Sequence, residues 1–285
     1  MAAPRDADVG SAAPSPVLDV HTHAFPDRLA AAAVAKLRAG ARWYEVHPSY
    51  DGTVGGLVAS MDRAGIRKAV LCSIATRPEQ VRNITDWSAS IAGPRIVPFA
   101  SIHPDYPEPE QEARRIAAAG LRGLKFHPYY MDCPADDPRA VRVARAAADA
   151  HLAMVFHSGY DMGFERDDTA APAHLRRLHE QVPDLRMVAA HMGGWLRWPE
   201  ALRDLAGLPI WLETSYTIGQ CPEEMLRRLL DAHPPDRLLF GTDAPWADQP
   251  AEVERFRALP IGEGLKRQIL WENGRRWLDL AADPA

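Results

Sequence analysis

The sequence predicts a closed (β/α)8 barrel, or TIM barrel, formed by a single α/β domain. Apolar runs of strand length alternate with amphipathic helical patterns, and eight such strand runs can be counted. These runs are nearly continuous in Val, Ile, Leu, Phe and Ala, which is typical of parallel strands that are buried on both faces. The length of 285 residues is also ordinary for a barrel of this class.

An open, doubly wound sheet is the alternative fold. It would require a glycine-rich phosphate-binding loop after an early strand. The sequence contains neither a GxGxxG nor a Walker motif, so the barrel is the favoured architecture.

The individual elements follow from the same patterns. The strand runs lie at 17–20, 66–75, 95–104, 121–128, 153–159, 185–194, 209–216 and 237–246. Helices are predicted where apolar residues recur every three to four positions, and several of them end at glycine or proline. They are expected at 30–37, 54–64, 79–91, 110–119, 138–150, 172–181, 199–206, 222–232, 251–259 and 262–280.

The chain is divided into a predicted disordered leader, residues 1–16, and one domain, residues 17–285. The leader is rich in Ala, Pro, Ser and Asp and has neither the basic start nor the apolar centre of a signal peptide. Cys72, Cys133 and Cys221 lie far apart and form no CxxC pair. An odd number of separated cysteines is typical of a reducing compartment, and we expect a cytoplasmic location.

Composition restricts the classes of partner. The formal net charge is -5, from 33 basic and 38 acidic residues. Nucleic-acid-binding proteins usually carry clusters of basic residues and an excess of positive charge, so the composition argues against nucleic-acid binding. No apolar run approaches the roughly 20 residues needed to cross a bilayer. The expected partner is a small-molecule substrate, with no nucleic acid and no membrane, and homodimer formation is left open.

Two histidines separated by one residue, His21 and His23, follow the first strand run. Residues two apart on a strand point to the same face, so both rings can reach one object. A metal ion is the obvious candidate. Because such a pair is weak support by itself, the remaining ligands must come from other strands.

The carboxyl ends of the strands supply further polar residues. In a (β/α)8 barrel these ends form one rim, where active sites lie. A single histidine after a strand is more often structural than functional, but five strands with polar ends are much harder to attribute to chance. These residues are His21 and His23 after the first strand, Lys125 and His127 after the fourth, His157 after the fifth, His191 after the sixth and Asp243 after the eighth.

The motifs resemble the amidohydrolase superfamily, and within it the amidohydrolase-related branch. That branch includes aminocarboxymuconate-semialdehyde decarboxylase, γ-resorcylate decarboxylase and hydrolases of lactones and amides. The similarity rests on DVHTH, FHSG, AAHMGG and LFGTDAPW on strands one, five, six and eight. The ending ILWENGRRWLDL resembles the family's ILxxNAxRLxxL helix, so the resemblance extends over residues 17–280.

The resemblance implies a role for each rim residue. His21, His23, His157 and Asp243 match the protein ligands of one divalent metal ion. His191 matches the histidine that contacts the metal-bound water or the substrate, and with Asp243 it is an expected catalytic residue. Zinc is the expected ion, with manganese or iron as alternatives, because imidazole and carboxylate suit all three.

Lys125 lies at about the position of a lysine that is carboxylated and bridges two metal ions in binuclear members. We favour an unmodified lysine that contacts a substrate carboxylate or a nearby acid, and one metal ion per chain. His127 has the same strand parity as Lys125, so both side chains are expected to point inward. Tyr129, His103 and Trp246 are the other candidate substrate contacts.

Three functions are compatible with these residues. The first and preferred one is hydrolysis of an amide, lactone or ester by a metal-activated water, with Asp243 as proton carrier and His191 stabilising the oxyanion. The second is metal-dependent, non-oxidative decarboxylation of a small aromatic or unsaturated carboxylic acid. The third is a metal-binding barrel without turnover, which the full ligand set disfavours. Hydrolases and decarboxylases of this kind share the fold and the metal ligands, so the sequence does not separate the first two functions.

The acidic loop at 159–168 is either a substrate lid or a solvated loop.

Overall fold

The computed structural model describes residues 15–280, so almost all of the predicted leader lies outside the described residues. Within this range eight strands alternate with helices, and all the paired strands are parallel. The strands are β1 Val17–Thr22, β2 Ile66–Cys72, β3 Ile96–Phe99, β4 Gly123–Phe126, β5 Ala153–Phe156, β6 Arg186–Ala189, β7 Trp211–Glu213 and β8 Leu238–Leu239.

The strands form the predicted barrel from two hydrogen-bonded sheets, β1-β2-β3 and β4-β5-β6-β7-β8. A parallel bridge between Ala100 and Leu124 joins the sheets on one side. On the other side, Thr22 at the end of β1 pairs with Ala244 in the segment after β8. Each strand therefore has a neighbour on both sides, and the prediction of a single (β/α)8 domain is confirmed.

Helices surround the strands at nearly all of the predicted positions. They are α1 Asp27–Gly40, α2 Val54–Ala64, α3 Val81–Ile91, α4 Pro109–Ala118, α5 Pro128–Met131, α6 Pro138–Asp149, α7 Pro172–Gln181, α8 Trp198–Asp204, α9 Glu223–Ala232, α10 Gln249–Ala258, α11 Glu263–Arg267 and α12 Asn273–Trp277. A π-helical turn, Gln268–Glu272, joins α11 to α12, so the predicted helix at 262–280 is a continuous run with one widened turn. None of the described helices has the length and hydropathy needed to cross a membrane.

Seven of the eight strands, β2 to β8, are shorter than their apolar runs predict, and the backbone conformation accounts for two of them. After β6 the backbone turns into the left-handed region at His191, with φ 61°, and at Met192, with φ 51°. After β8 it does so at Asp243, with φ 67°. Such values are uncommon for non-glycine residues and incompatible with an extended strand. The polar residues that follow β6 and β8 therefore belong to turns at the rim.

The barrel interior is filled below the rim. Leu18, Val70 and Val155 belong to its buried apolar cluster, and Trp277 of α12 packs against Phe99 with ring centroids 5.6 Å apart. All five are at most 1% exposed. A second, larger apolar layer lies between the strands and the helices. Packed side chains thus close the barrel at its lower end, which leaves the carboxyl ends of the strands for a cavity.

Candidate active site

A cavity of about 850 Å³ lies at the carboxyl ends of the strands. The structure brings all the polar rim residues predicted from the sequence to its lining. These are His21, His23, Lys125, His127, His157, His191 and Asp243.

The rings of His21 and His23 direct unprotonated nitrogens towards each other. His21 Nδ1 donates to Glu213 Oε1 at 3.0 Å, and His23 Nδ1 donates to the carbonyl oxygen of Cys72 at 2.8 Å. A neutral imidazole carries one proton, so both Nε2 atoms are bare, and they lie 3.2 Å apart. Asp243 Oδ1 lies 3.4 Å from the Nε2 of His21 and 3.0 Å from that of His23. Three atoms with lone pairs therefore converge on one point.

The protonation states favour this convergence. Burial, followed by the charge of Lys125, lowers the pKa of His21 well below its usual value. Burial favours the protonated acid of Asp243, but its contacts with His21 and His23 outweigh burial and lower the pKa of Asp243, because a proton at this cluster is held by an imidazole rather than by the carboxylate. A metal ion that displaces this proton would meet neutral imidazoles and an ionised carboxylate, the forms in which both groups bind metal ions.

Lys125 is the proton donor beside this group. Its Nζ lies 2.8 Å from His21 Nε2, and the residue is only 1% exposed. Burial lowers the pKa of Lys125, although the carboxylates of Asp243 and Glu213 act in the opposite direction. An ammonium group at this depth contributes positive charge to the floor of the cavity.

His157 and His191 form a second pair of facing rings. His157 Nε2 donates to the carbonyl of Tyr160, and His191 Nδ1 donates to the carbonyl of Ser215, both at 3.1 Å. The remaining nitrogens, His157 Nδ1 and His191 Nε2, are bare and 3.1 Å apart. Burial also lowers the pKa of His157 well below its usual value.

The donor set fits a divalent metal ion. Bare imidazole nitrogens and a carboxylate are ligands that zinc, manganese and iron accept, and each ring is held through its other nitrogen, as ligand histidines usually are. His21, His23 and Asp243 have ligand atoms within 4.8 Å of one another. The fourth predicted ligand, His157, belongs to a neighbouring group with His127 and Asp161 rather than to this one.

Glu213 is a site residue that the sequence analysis missed. It ends β7, is fully buried, and accepts hydrogen bonds at 3.0 Å from both His21 Nδ1 and the backbone N–H of His191. The N–H of Ser215 donates to its other oxygen at 2.6 Å. A Cβ atom added at Gly241 would lie 2.2 Å from Glu213 Oε2, so glycine leaves room for this carboxylate. The available signal was an acid within the apolar run PIWLETSY, since a buried acid requires partners.

Asp19 links β1 to the segment that carries Asp243. Its carboxylate accepts from Thr242 Oγ1 at 2.5 Å, from the Thr242 N–H at 3.0 Å, from Gln249 Nε2 at 2.8 Å and from the His21 N–H at 3.1 Å. Burial raises the pKa of Asp19 to about 7, against the lowering effect of these hydrogen bonds. The residue positions the backbone on both sides of the candidate metal site.

Sequence comparison identifies the family. A sequence model described as amidohydrolase matches residues 18–280, which is most of the chain. The protein is a member of the amidohydrolase family. No curated protein matches the chain significantly.

Solved structures share the fold of this amidohydrolase. The 5-carboxyvanillate decarboxylase of Sphingomonas paucimobilis is 18% identical, with a TM-score of 0.70 over 94% of this chain and 100% of that one. A dihydroxybenzoic acid decarboxylase from Polaromonas sp. JS666, solved with manganese and the inhibitor 2-nitroresorcinol, is 16% identical, with a TM-score of 0.68 over 94% and 98%. An uncharacterised TIM-barrel protein of Bordetella bronchiseptica is 19% identical, with a TM-score of 0.69 over 93% and 98%.

His127 and Asp161 border the histidine pair in this amidohydrolase. The His127 ring stacks on His157 with centroids 4.1 Å apart, and its Nε2 lies 3.3 Å from Asp161 Oδ2. Burial raises the pKa of Asp161. Asp161 belongs to the acidic loop at 159–168, so one acid of this loop faces the cavity, whereas residues 165–168 are exposed.

The predicted substrate contacts separate into two groups. Lys125, His127 and Trp246 line the cavity. Tyr129 and His103 are not among the described residues that line it; the Tyr129 hydroxyl lies 3.5 Å from the carbonyl oxygen of Asp167, and His103 Nδ1 accepts from the Asp105 N–H. Tyr130 lines the cavity instead, because the short helix α5 begins at Pro128 and turns the chain after β4.

Proposed function

We propose that this amidohydrolase catalyses the metal-dependent, non-oxidative decarboxylation of an aromatic carboxylic acid. The observation that carries the proposal is the position of the bare nitrogens and Asp243 in a cavity with aromatic walls. Trp195, Tyr216, Trp246 and Tyr130 all contribute to these walls. They suit a flat ring, since aromatic side chains pack favourably against one another and against aromatic ligands.

The likeness to solved structures supports decarboxylation rather than hydrolysis as the first choice. The similar Sphingomonas and Polaromonas proteins are both decarboxylases of aromatic acids, and the latter was solved with manganese. We therefore propose manganese as the ion to test first, with zinc as the alternative from ligand chemistry. We assign His21, His23, His157 and Asp243 as its ligands. When bound, the ion supplies positive charge that orients an anionic substrate and stabilises negative charge as it develops.

The chain's own residues would divide the remaining work. The bond between the ring carbon and the carboxyl carbon breaks, carbon dioxide leaves, and the electron pair that stays on the ring carbon takes up a proton. We assign Asp243 as the group that takes up a proton from water as the substrate binds and delivers it to this ring carbon, and His191 as the group that orients the substrate through Nε2. Lys125 donates a hydrogen bond to an anionic substrate oxygen, and the aromatic walls exclude bulk water.

Hydrolysis of an amide, lactone or ester is the second candidate, because it uses the same residues. The observation that favours it is the contact of Asp243 with His21 and His23, which lowers the pKa of Asp243 so that its carboxylate can accept a proton from an attacking water. No observation favours the third candidate, a barrel that binds a metal ion without catalysing a reaction.

One assay separates the candidates. Protein loaded with manganese, and separately with zinc, is incubated with hydroxylated benzoic acids and with a matched set of aryl amides, esters and lactones. We expect carbon dioxide release from at least one acid and none from a His157→Ala variant. Turnover of an ester, amide or lactone, without carbon dioxide release from any acid, would instead establish hydrolysis.

A further inference from the structure

The cavity extends well beyond the polar floor. Residues of α1 and α3 also line it, and we call this part of the cavity the outer cleft. Phe25, Leu29 and Leu37 come from α1 and the turn before it, and Ile84 and Trp87 come from α3. Leu29 is 48% exposed, an unusual state for a large apolar side chain within a cavity lining. The outer cleft is therefore an apolar surface that is continuous with the candidate active site.

The outer cleft also carries unpaired positive charge. Arg28 and Lys36 lie on α1, line the cavity and are exposed. Neither has a carboxylate partner among residues 15–280, since only Arg67 has an interaction beyond those described. The one acid that α3 contributes to the outer cleft, Asp86, is already paired with Arg115 at 2.6 Å. An anionic group in the cleft would therefore meet two free cations.

The size of the cavity calls for a ligand larger than one ring. Its volume of about 850 Å³ lies near the upper end of the range, roughly 300–1,000 Å³, of pockets that bury drug-sized ligands. A single-ring acid held at His21 and Asp243 would fill only the inner part. The apolar outer cleft would then remain in contact with water, which apolar surface disfavours.

We propose that the outer cleft is a substrate subsite that takes an apolar extension ending in an anionic group near Arg28 and Lys36. The substrate is then an elongated acid, with one carboxylate at the metal-binding floor and a second anion at the mouth. The proposal rests on the proposed function only for the position of the first carboxylate. It assigns the specificity of the reaction to residues of α1 and α3 that lie outside the histidine cluster.

The test measures binding rather than turnover. Manganese-loaded protein is titrated calorimetrically with benzoate, biphenyl-4-carboxylate and biphenyl-4,4′-dicarboxylate. The second ring should increase affinity about tenfold or more through apolar burial. The second carboxylate should add roughly three- to tenfold, as two exposed ion pairs would, and this gain should shrink at high salt.

Variants identify the residues responsible. In R28Q/K36Q the preference for the dicarboxylate over the monocarboxylate should fall to about one, whereas in R38Q, a change on the same helix outside the cavity, it should persist. In L29N the increase in affinity from benzoate to biphenyl-4-carboxylate should be smaller than in the wild type. Equal affinity for all three ligands, or an undiminished dicarboxylate preference in R28Q/K36Q, would overturn the subsite. The predicted binding pattern, together with no carbon dioxide release from any of the hydroxylated benzoic acids in the assay above, would instead refute the proposed reaction and leave the subsite in place.

Discussion

His157 Nδ1 and His191 Nε2 lie 3.1 Å apart while the other nitrogen of each ring donates to a backbone carbonyl. When both rings are neutral and protonated on the nitrogen that faces a carbonyl, the two facing lone pairs repel each other. A cation next to them removes the repulsion. This relationship, more than the number of histidines, marks the pair as part of a metal or substrate site.

Alanine variants of these two histidines should differ. We assign His157 as a ligand and His191 as a substrate-orienting group, since two histidines from β1, His157 and Asp243 already supply four ligands and a catalytic ion must keep an open position. His157→Ala should lose both metal and activity. His191→Ala should keep most of its metal and lose activity by roughly 10²–10⁴-fold. Metal analysis and turnover of both variants check this; equal metal loss in the two would make His191 a ligand.

Removing the charge of Glu213 should weaken metal binding without removing a ligand. The carboxylate fixes the proton on His21 Nδ1 and supports the backbone at His191. Loss of such a supporting partner typically costs 10–100-fold in metal affinity. Glu213→Gln is measured by competition with a chelator, with Glu223→Gln, on the exposed start of α9, as the control. Unchanged affinity in Glu213→Gln would show that His21 is oriented by other contacts.

Gly241 and Gly262 offer a matched pair of glycine substitutions. A Cβ at Gly241 would lie 2.2 Å from Glu213 Oε2, whereas nothing lies within 4 Å of one at Gly262. We expect Gly241→Ala to lower the free energy of unfolding by about 1–3 kcal/mol, as overpacking does, and to weaken metal binding. Gly262→Ala should change stability by less than about 1 kcal/mol. Denaturant unfolding measures both, and equal effects would contradict the steric argument.

The stoichiometry should be one metal ion per chain with an unmodified Lys125. Lys125 Nζ lies 2.8 Å from His21 Nε2, and when that nitrogen binds the ion the ammonium can donate to a substrate oxygen, whereas a carboxylated lysine would place negative charge there. Elemental analysis gives the ion count, and native mass spectrometry detects any added carboxyl group. Two ions per chain together with a modified lysine would reverse the prediction.

His233 should make stability depend on pH far from the active site. Its Nε2 donates to the Ile210 carbonyl and its Nδ1 accepts from the Gly207 N–H, and burial lowers the pKa of His233 from 6.5 to about 4. The unfolded chain therefore binds more protons between these values. The contribution of neutral His233 is complete above pH 6.5 and is lost as the pH falls through about 4.

The expected size of this effect is about 3 kcal/mol between pH 7 and pH 4. It is measured as the difference in unfolding free energy between the wild type and His233→Gln, which does not titrate in this range. The comparison cancels the other buried histidines, which are present in both proteins. A difference that stays constant with pH would show that the pKa of His233 is the same in the folded and unfolded chains.

The fold was predictable because burial on both faces leaves a direct mark on the sequence. Each barrel strand gives an apolar run, and the polar residue that ends a run, such as His157 or Asp243, lies at the rim by topology alone. Glu213 and Asp161 were harder to find because their roles depend on contacts with residues from other strands. Tyr130 rather than Tyr129 lines the cavity because of the turn made by α5, and this helix is too short to produce a periodic pattern in the sequence.

The bridge between Thr22 and Ala244 joins the beginning of the domain to its end. Beside it, the Asp243 N–H donates to the His21 carbonyl at 2.8 Å. A chain that ends before residue 243 would therefore lack both the carboxylate that we assign as a ligand and the segment that pairs with the end of β1. On this assignment, metal binding requires closure of the barrel, and the bound ion would stabilise only chains in which the barrel has closed. Truncated chains should consequently emerge from the ribosome metal-free and remain open to proteolysis.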